Sequence, residues 1–289
     1  MNDLLRRSIT GTLFAIVMIG SIAAHELTFL ALIFLIHAGC LWEFYSLMKS
    51  EQNYSVMQLK AINIIRIVVG IISWWILATG FRFVFYINNL LYFLIIPGIL
   101  IFLIIELFYR TASPVRNAAI NILGIFYITF PLSMIVFFPY VNENTEWFPN
   151  RCGLILGITF LVWTNDTMAY VTGSLIGKHK ILPSISPKKT WEGFSGGLLF
   201  SILCGFILSY FFHQLNAVNW LVIACIVSIF GTFGDFIESM IKRHAGVKNS
   251  GNFFPGHGGL LDRFDAFIFM IPFVFIYYIG LMLFTGSSR

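Results

Sequence analysis

Residues 266–284 read AFIFMIPFVFIYYIGLMLF, nineteen consecutive residues without a charged side chain. A helix needs about 20 mostly apolar residues to cross the roughly 30 Å hydrocarbon core of a bilayer, so this stretch predicts a transmembrane helix. The whole chain has the same character, because 58% of its 289 residues are hydrophobic and only 11% are charged, against about 25% charged in an average soluble domain. This composition excludes a disordered chain, a disulfide-rich scaffold and an ordinary water-soluble enzyme.

Nine apolar runs of this kind follow one another along the sequence. They are continuous rather than alternating, and only helices or closed barrels satisfy the backbone inside lipid, so the sequence predicts an all-α polytopic integral membrane protein. Only His25 and Glu26 separate the first two runs, which predicts a tight helical hairpin. We expect a single membrane domain, with scaffold and lipid-facing helices in residues 1–150 and the functional helices and loops in residues 151–289. The predicted spans are Ile9–Ala24, Leu27–Leu47, Ala61–Ala78, Leu90–Tyr109, Ala118–Tyr140, Gly153–Ile176, Gly193–Phe212, Trp220–Ile241 and Ala266–Phe284.

The basic residues predict an orientation for these helices. With the N-terminus in the cytoplasm, fifteen of the eighteen Lys and Arg residues fall in cytoplasmic segments, and only Arg82, Arg151 and Arg289 fall outside, as the positive-inside rule requires. We therefore expect a cytoplasmic N-terminus, an external C-terminus and a bacterial-type inner (plasma) membrane. Because the charge is spread over many loops, we expect no nucleic-acid partner. The first run, preceded by Arg6 and Arg7, also has the pattern of a cleaved secretory signal, an alternative that the sequence leaves open.

Three carboxylates lie inside the apolar runs, where lipid should exclude them. An acidic side chain near the bilayer centre costs roughly 2.5 kcal/mol or more, so such residues usually pair, bind a cation or face the bundle interior. Asp235 and Glu238 share one helix face with Lys242, at spacings i, i+3 and i+7, and Asp166 lies in an earlier run. An internal salt bridge or a helix cap is the structural alternative for each acid. Two further acids lie singly near run ends and are expected to be paired or to reach the interface, namely Glu43 and Glu106.

Two loops combine the features of a phosphate site. In residues 242–265, KRHAGVKNSGNFFPGHGGLLDRFD, three basic residues precede glycines that let backbone N–H groups approach a phosphate. Asp262 and Asp265 follow, and carboxylates and phosphate oxygens are ligands that Mg²⁺ prefers. Residues 177–190, GKHKILPSISPKKT, gather lysines and hydroxyls, and Thr190 is placed to cap the helix that follows it. Lysines that anchor helix ends at the interface are the alternative for this second loop.

Two segments resemble a known family. Residues 239–265, SMIKRHAGVKNSGNFFPGHGGLLDRFD, resemble the C-terminal motif of the phosphatidate cytidylyltransferases, and residues 163–193, WTNDTMAYVTGSLIGKHKILPSISPKKTWEG, resemble the region before it. The resemblance covers roughly residues 153–270, whereas residues 1–150 match only in their apolar character. This chain departs from the family at Asn249, where the family usually has Asp, which is a better metal ligand.

The resemblance implies a reaction in which CTP and phosphatidic acid give CDP-diacylglycerol and pyrophosphate. It implies a site that faces the cytoplasm, a homodimer in the lipid bilayer, and dependence on Mg²⁺ with a second cation for which K⁺ is the candidate. In this family the aspartates at the positions of Asp235 and Asp262 belong to the metal site. The resemblance thus predicts a nucleotidyltransferase of phospholipid biosynthesis.

The chemistry of that reaction gives roles to the charged residues. A phosphate monoester has its second pKa near 6, so the lipid phosphate is already largely dianionic and needs no strong general base. The carboxylates are therefore better metal ligands than proton acceptors, while the basic groups neutralise the phosphates. We expect metal binding by Asp235, Asp262 and Asp265, and catalytic roles for Asp235, Asp262, Lys242, Arg243 and Lys189. Substrate contacts are expected from Asp166, Ser186, Lys188, Thr190, Glu192, Lys248, His257, Gly258, Gly259 and Arg263.

Two other functions fit parts of the sequence. A CTP-dependent lipid kinase of the polyprenol or phytol type would use similar loops, but would transfer the γ-phosphoryl group and release CDP. A cation-coupled transporter would use Asp166 and Asp235 as ion-relay residues. Against the transporter, most of the unusual charge lies in two interfacial loops and no inverted repeat is visible.

Overall fold

A computed structural model describes residues 3–82, 95–140, 152–253 and 258–285 of the chain. Across these ranges the regular structure is helical, and an isolated bridge between Lys180 and Thr190 is the β-type pairing. The helices are α1 (Asp3–Ala24), α2 (Glu26–Leu47) with a 3₁₀ turn (Met48–Glu51), α3 (Val56–Arg82), α4 (Ile95–Tyr109), α5 (Pro114–Gly124), a π turn (Ile125–Thr129), α6 (Phe130–Met134), a 3₁₀ turn (Ile135–Tyr140), α7 (Gly153–Ile176), α8 (Trp191–Phe211), α9 (Ala217–His244) and α10 (Leu261–Thr285).

Each of the nine predicted runs overlaps one of these helices, which confirms the all-α polytopic membrane fold. Among the described residues, seven helices are long and apolar enough to cross a membrane, and two further apolar helices, Ile9–Ala24 and Pro97–Tyr109, are shorter. The number of crossings, the side of each terminus and the single-domain organisation remain predictions.

The tight turn between the first two helices is confirmed. Only His25 separates α1 from α2. Its ring Nδ1 accepts a hydrogen bond from the Leu27 backbone N–H (3.1 Å), and the Thr28 hydroxyl accepts one from the His25 backbone N–H (3.2 Å). These contacts satisfy N–H groups that a helix start otherwise leaves unpaired.

The fifth predicted run forms one rod with a change of helical pitch in its middle. Pro131 has no backbone N–H, and its ring would clash with the carbonyl of Tyr127 in a regular α-helix. The π turn Ile125–Thr129 lies immediately before this proline, and such a turn accommodates the lost hydrogen bond. The rod therefore continues past the proline to Phe137, whose ring packs against Phe275 of α10.

The outward faces of the bundle are apolar. Large side chains such as Ile16, Trp75, Ile207 and Phe284 are more than half exposed. Water-soluble monomers rarely expose contiguous apolar surface on this scale, whereas lipid is a suitable solvent for it. The exposed hydrophobic faces thus agree with the membrane assignment made from composition.

Small residues let the helices of the C-terminal half approach closely. A Cβ atom added at Gly157 of α7 would collide with the Trp220 ring, and one at Gly193 of α8 would meet the backbone of α7. Gly234 of α9 faces the main-chain oxygen of Asp265 in the same way. Close approach through small residues is the usual packing of transmembrane helices, and here it brings the acidic segments of α9 and α10 side by side.

A buried polar network joins α3, α4 and α5 in the N-terminal half. The Glu106 carboxylate accepts hydrogen bonds from the hydroxyls of Tyr54 and Thr111 (2.6 Å for Thr111) and from the Asn117 amide (3.3 Å). Burial raises the pKa of Tyr54, which keeps its hydroxyl protonated as a donor. Arg66 is 1% exposed, and its Nε donates to the side-chain oxygen of Asn121 (2.8 Å). The expectation that Glu106 is paired is confirmed.

Candidate active site

One cavity of about 590 Å³ collects most of the acidic and basic residues singled out in the sequence. It is enclosed by α1, α7, α9, α10 and the end of the loop before α8. Seven of the predicted site residues line it, and Glu238 is an eighth charged residue there. The seven are Asp166, Lys189, Asp235, Lys242, Asp262, Arg263 and Asp265.

The acidic face of α9 turns into this cavity. Asp235, Glu238 and Lys242 all line it together with Ser239, as their helical spacing predicts. Gly234 allows α9 to pack against the backbone of Asp265, and the carboxyl groups of Asp235 and Asp265, which both line the cavity, are close enough to interact electrostatically. Two carboxylates this close repel each other unless a cation or a proton lies between them.

The predicted lysine of the loop before α8 reaches the same acids. Lys189 Nζ forms an ion pair with Asp235 and lies 4.8 Å from the centroid of the Phe236 ring. Asp166, on α7, is close enough to both Asp235 and Lys189 to interact with them electrostatically. Its neighbour Asn165 accepts a hydrogen bond from the Ser228 hydroxyl of α9 (2.6 Å), which fixes this turn of α7 against α9.

A second ion-pair cluster lies at the end of α9. Lys242 bridges Glu238, four residues before it, and Asp262 of α10, at 2.6 Å from the latter. Asp262 also accepts hydrogen bonds from the backbone N–H groups of Gly259 (2.8 Å) and Ser250 (3.0 Å). Gly258 has a φ of +86°, and a Cβ there would run into the Asp262 carboxylate, so this loop position favours glycine.

The charge of the cavity favours a bound cation. Five carboxylates against three basic groups leave a formal net charge of −2 on its lining. Within the described ranges no three His, Cys, Asp or Glu side chains converge as a ready-made metal site. Mg²⁺ is usually held by one or two carboxylates together with waters and substrate phosphates. The two carboxylates Asp235 and Asp265, which line the same cavity, fit that kind of site.

Two predicted residues, Thr190 at the end of the loop 177–190 and Glu192 in the first turn of α8, have structural partners instead of facing the cavity. Thr190 is buried, and its hydroxyl accepts a hydrogen bond from the Gly193 N–H (3.1 Å), which confirms the predicted cap. The Glu192 carboxylate binds the His179 ring (2.6 Å) and the backbone N–H of Lys178 (3.0 Å). These contacts close the loop and hold Lys189 at the cavity edge.

Other predicted residues lie away from the cavity lining. Arg243 is exposed, and its guanidinium donates to the Val247 carbonyl (3.1 Å). Lys188 and Lys248 are exposed on their loops, and the backbone oxygen of Ser186 accepts a hydrogen bond from the Lys189 N–H (3.4 Å). Gly258 and Gly259 contact Asp262, as described above, and His257 lies outside the described residues. The roles of these residues remain predictions.

One wall of the cavity was not anticipated. It is formed by Thr10, Gly11, Phe14 and Ala15 of α1. The Phe14 ring packs on α7 and α10, with 6.0 Å between its centroid and that of Phe264. These residues share one helix face. The sequence of an apolar helix does not show whether such a face contacts lipid or lines a cavity. Only the packing of α1 identifies it as part of the site.

Comparisons with known proteins agree with the resemblance seen in the sequence. Residues 5–281 match a family model described as the cytidylyltransferase family. Curated phosphatidate cytidylyltransferases from Staphylococcus haemolyticus (strain JCSC1435) and Staphylococcus aureus (strain COL) are 51% and 50% identical to this chain over 119 residues. These matches cover 41% of this chain and 46% of each relative, so the chain spans about half the length of the curated relatives it matches.

Proposed function

The chain belongs to the cytidylyltransferase family, and we propose that it is a membrane nucleotidyltransferase that converts CTP and phosphatidic acid into CDP-diacylglycerol and pyrophosphate. The observation that best supports this proposal is the acid-rich cavity, in which the carboxylates of Asp235, Asp262 and Asp265 meet the ammonium groups of Lys189 and Lys242. The reaction belongs to phospholipid biosynthesis, and it joins a soluble nucleotide to a lipid that stays in the membrane.

The transfer is a displacement at phosphorus. An oxygen of the lipid phosphate forms a new bond to the α-phosphorus of CTP while the bond from that phosphorus to the bridging β-phosphate oxygen breaks. The electron pair of the broken bond leaves with pyrophosphate. Since the lipid phosphate is largely dianionic at neutral pH, no side chain has to remove a proton.

The main obstacle is electrostatic, because a dianion has to approach a polyanion. Lys189, Lys242 and Arg263 line the cavity and can neutralise phosphate oxygens. The ion pairs of Lys189 with Asp235 and of Lys242 with Asp262 hold both ammonium groups in place before substrate binds. Such preorganisation lowers the cost of aligning the two phosphates.

Cations complete this arrangement in our proposal. Asp235, Asp262 and Asp265 would hold Mg²⁺ and a second cation, with K⁺ as the candidate, and bound Mg²⁺ supplies charge neutralisation at the leaving pyrophosphate. The net charge of −2 on the cavity lining supports this assignment. A polyanion would otherwise be repelled by the carboxylates that surround it.

The lipid substrate enters from the bilayer in this proposal. Four of the residues that line the cavity together with the charged ones are apolar, namely Phe14, Ala15, Val162 and Trp163. A lipid could therefore place its phosphate among the charges while its acyl chains remain beside α1 in the membrane. The positive-inside distribution supports a cavity that opens to the cytoplasm, where soluble CTP is available. The homodimer implied by the family resemblance remains part of this proposal.

Product analysis with two differently labelled nucleotides tests the proposed reaction. Purified protein is incubated with phosphatidic acid micelles and CTP labelled at the α- or the γ-phosphate, with and without Mg²⁺. We expect α-label in a CDP-lipid, γ-label in pyrophosphate, and no transfer without Mg²⁺. Transfer of γ-label to lipid with release of CDP would identify a lipid kinase and contradict the proposal, as would substrate-driven ion flux in liposomes without CTP.

A further inference from the structure

Glu43 connects the N-terminal half of the molecule to the start of α10, the helix that carries Asp262. It lies on α2 and is 8% exposed. Its carboxylate accepts three hydrogen bonds from residues more than 200 positions later, namely from the Ser250 hydroxyl (2.9 Å) and from the backbone N–H groups of Leu260 (2.9 Å) and Leu261 (2.8 Å). The expectation that Glu43 is paired is therefore confirmed, with a partner that no sequence pattern identified.

These contacts make Glu43 a cap for α10. Leu261 is the first residue of that helix, and the first N–H groups of a helix have no partner within it. A negative charge at this end also interacts favourably with the helix dipole. The carboxylate in turn needs these donors, because burial of a charged group without hydrogen bonds is costly. Glu43 and the start of α10 therefore depend on each other.

The loop is shaped to admit this carboxylate. A Cβ atom added at Gly251 or at Gly259 would collide with the side chain of Glu43. Both glycines belong to the segment that the sequence analysis assigned to phosphate binding. Their small size has a different use here, since it lets a side chain from α2 reach the backbone of the loop.

A single serine links Glu43 to Asp262. The Ser250 hydroxyl donates to Glu43 and accepts from the backbone N–H of Asp262 (3.3 Å), while the Ser250 N–H donates to the Asp262 carboxylate (3.0 Å). Asp262 is in turn the partner of Lys242 in the cavity. A displacement of the Glu43 carboxylate would therefore reach the Asp262–Lys242 pair through one intermediate residue.

We propose that Glu43 is a positioning residue, which fixes Ser250 and residues 259–261 and so sets the place of the Asp262 carboxylate relative to Lys242 and to a bound cation. This inference rests on the proposed function, since Asp262 is taken there as a cation ligand. Glu43 itself does not line the cavity and is not expected to touch either substrate.

The substitution Glu43→Gln tests this role against a matched control, Glu106→Gln. Both remove the charge of a buried, hydrogen-bonded carboxylate, but Glu106 belongs to the N-terminal network. In Glu43→Gln one acceptor oxygen is replaced by an NH₂ group that faces backbone donors. We expect kcat per folded enzyme to fall about tenfold, since small misplacements of catalytic groups are costly. We also expect the Mg²⁺ concentration that gives half-maximal activity to rise. The control should keep both values within about twofold.

Hydrogen exchange provides a readout that does not depend on activity. In Glu43→Gln the backbone amides of residues 258–264 should exchange faster than in the unmodified protein, whereas in Glu106→Gln they should not. Ser250→Ala is the second variant, and it alone tests the proposal if Glu43→Gln does not fold. It removes the hydroxyl that joins Glu43 to Asp262, so it should also lower kcat. In the double variant the fold reduction in kcat should be smaller than the product of the two separate reductions.

Three results would overturn the inference. The first is a Glu43→Gln variant in which kcat, the Mg²⁺ dependence and the hydrogen exchange are all unchanged. The second is a Glu106→Gln variant that changes these quantities as much as Glu43→Gln does. The third is a double variant in which the effects of Glu43→Gln and Ser250→Ala on kcat are fully independent. Failure of the proposed function is recognised separately, because the unmodified protein would then form no CDP-lipid, while the exchange experiment would still report whether Glu43 fixes the loop.

Discussion

The protein contains two groups of buried polar residues, and they differ in how their charges are balanced. In the N-terminal network, Glu106 and Arg66 are surrounded by hydroxyl and amide groups that supply most of their hydrogen bonds. In the C-terminal cavity, acids outnumber bases and face a space of about 590 Å³. In the first group, partners from the chain itself satisfy the charged atoms of Glu106 and Arg66, which is typical of a structural network. The second has more acids than bases, which agrees with the cation sites that we propose for it.

The largest expected effect follows from removal of a cavity carboxylate. Asp262→Asn or Asp235→Asn should lower Mg²⁺-dependent formation of CDP-lipid by about 1,000-fold or more, since each deletes a proposed cation ligand in a preorganised site. The melting temperature of Asp262→Asn should also fall, because the amide places an NH₂ group against Lys242 or against the backbone donors of Ser250 and Gly259, so turnover is compared per folded enzyme. Near-normal turnover in both purified variants would contradict the metal assignment and remove the distinction between the two polar groups.

Lys242→Met should have the next largest effect. The substitution leaves Glu238 and Asp262 facing each other without their shared cation, and the side chains of this cluster are at most 12% exposed. We expect a loss of about 3 kcal/mol in stability and a reduction of kcat by about 100-fold. Thermal unfolding and product formation measure the two losses. A variant with normal kcat would exclude Lys242 from phosphate neutralisation.

Arg66→Met applies a comparable change to the N-terminal network. It leaves the side-chain oxygens of Asn63 and Gln52 without their donor, so we expect a stability loss of about 2 kcal/mol. The kinetic constants per folded enzyme should stay within about twofold of the original values, because the network does not line the cavity. A large change in KM for either substrate would show that the two regions are functionally coupled.

The smallest predicted effect concerns the wall formed by α1. No atom lies within 4 Å of a Cβ placed at Gly11, so Gly11→Leu should fold normally while it narrows the cavity. We expect KM for phosphatidic acid to rise about fivefold, equivalent to roughly 1 kcal/mol of lost binding, and KM for CTP to stay nearly constant. Equal changes in both KM values would argue against a lipid-binding wall at α1.

The sequence predicts the parts of this structure that depend on local pattern. Apolar length predicts the helices, helical spacing predicts that Asp235, Glu238 and Lys242 share a face, and residue type predicts the cap at Thr190. All of these agree with the structure. Each depends on residues within about two turns of one another, for which the geometry of a helix is known in advance.

The remaining features depend on contacts between distant segments. Nothing in the sequence around Glu43 indicates that its partner is the start of α10, and nothing in α1 indicates that Gly11 borders a cavity. Arg243 illustrates another case, since the sequence predicts a catalytic role for it, while in the structure it is exposed and donates to the Val247 carbonyl, so its role stays a prediction. Such contacts follow from the packing of whole helices.

The most direct test of the central claim is an experimental structure of the protein with CTP and Mg²⁺ bound. Our account predicts that the triphosphate lies between α9 and α10, with the metal about 2.1 Å from carboxylate oxygens of Asp235, Asp262 or Asp265, and with Lys189 and Lys242 turned towards phosphate. A triphosphate bound elsewhere, with both lysines still paired to their aspartates, would contradict it.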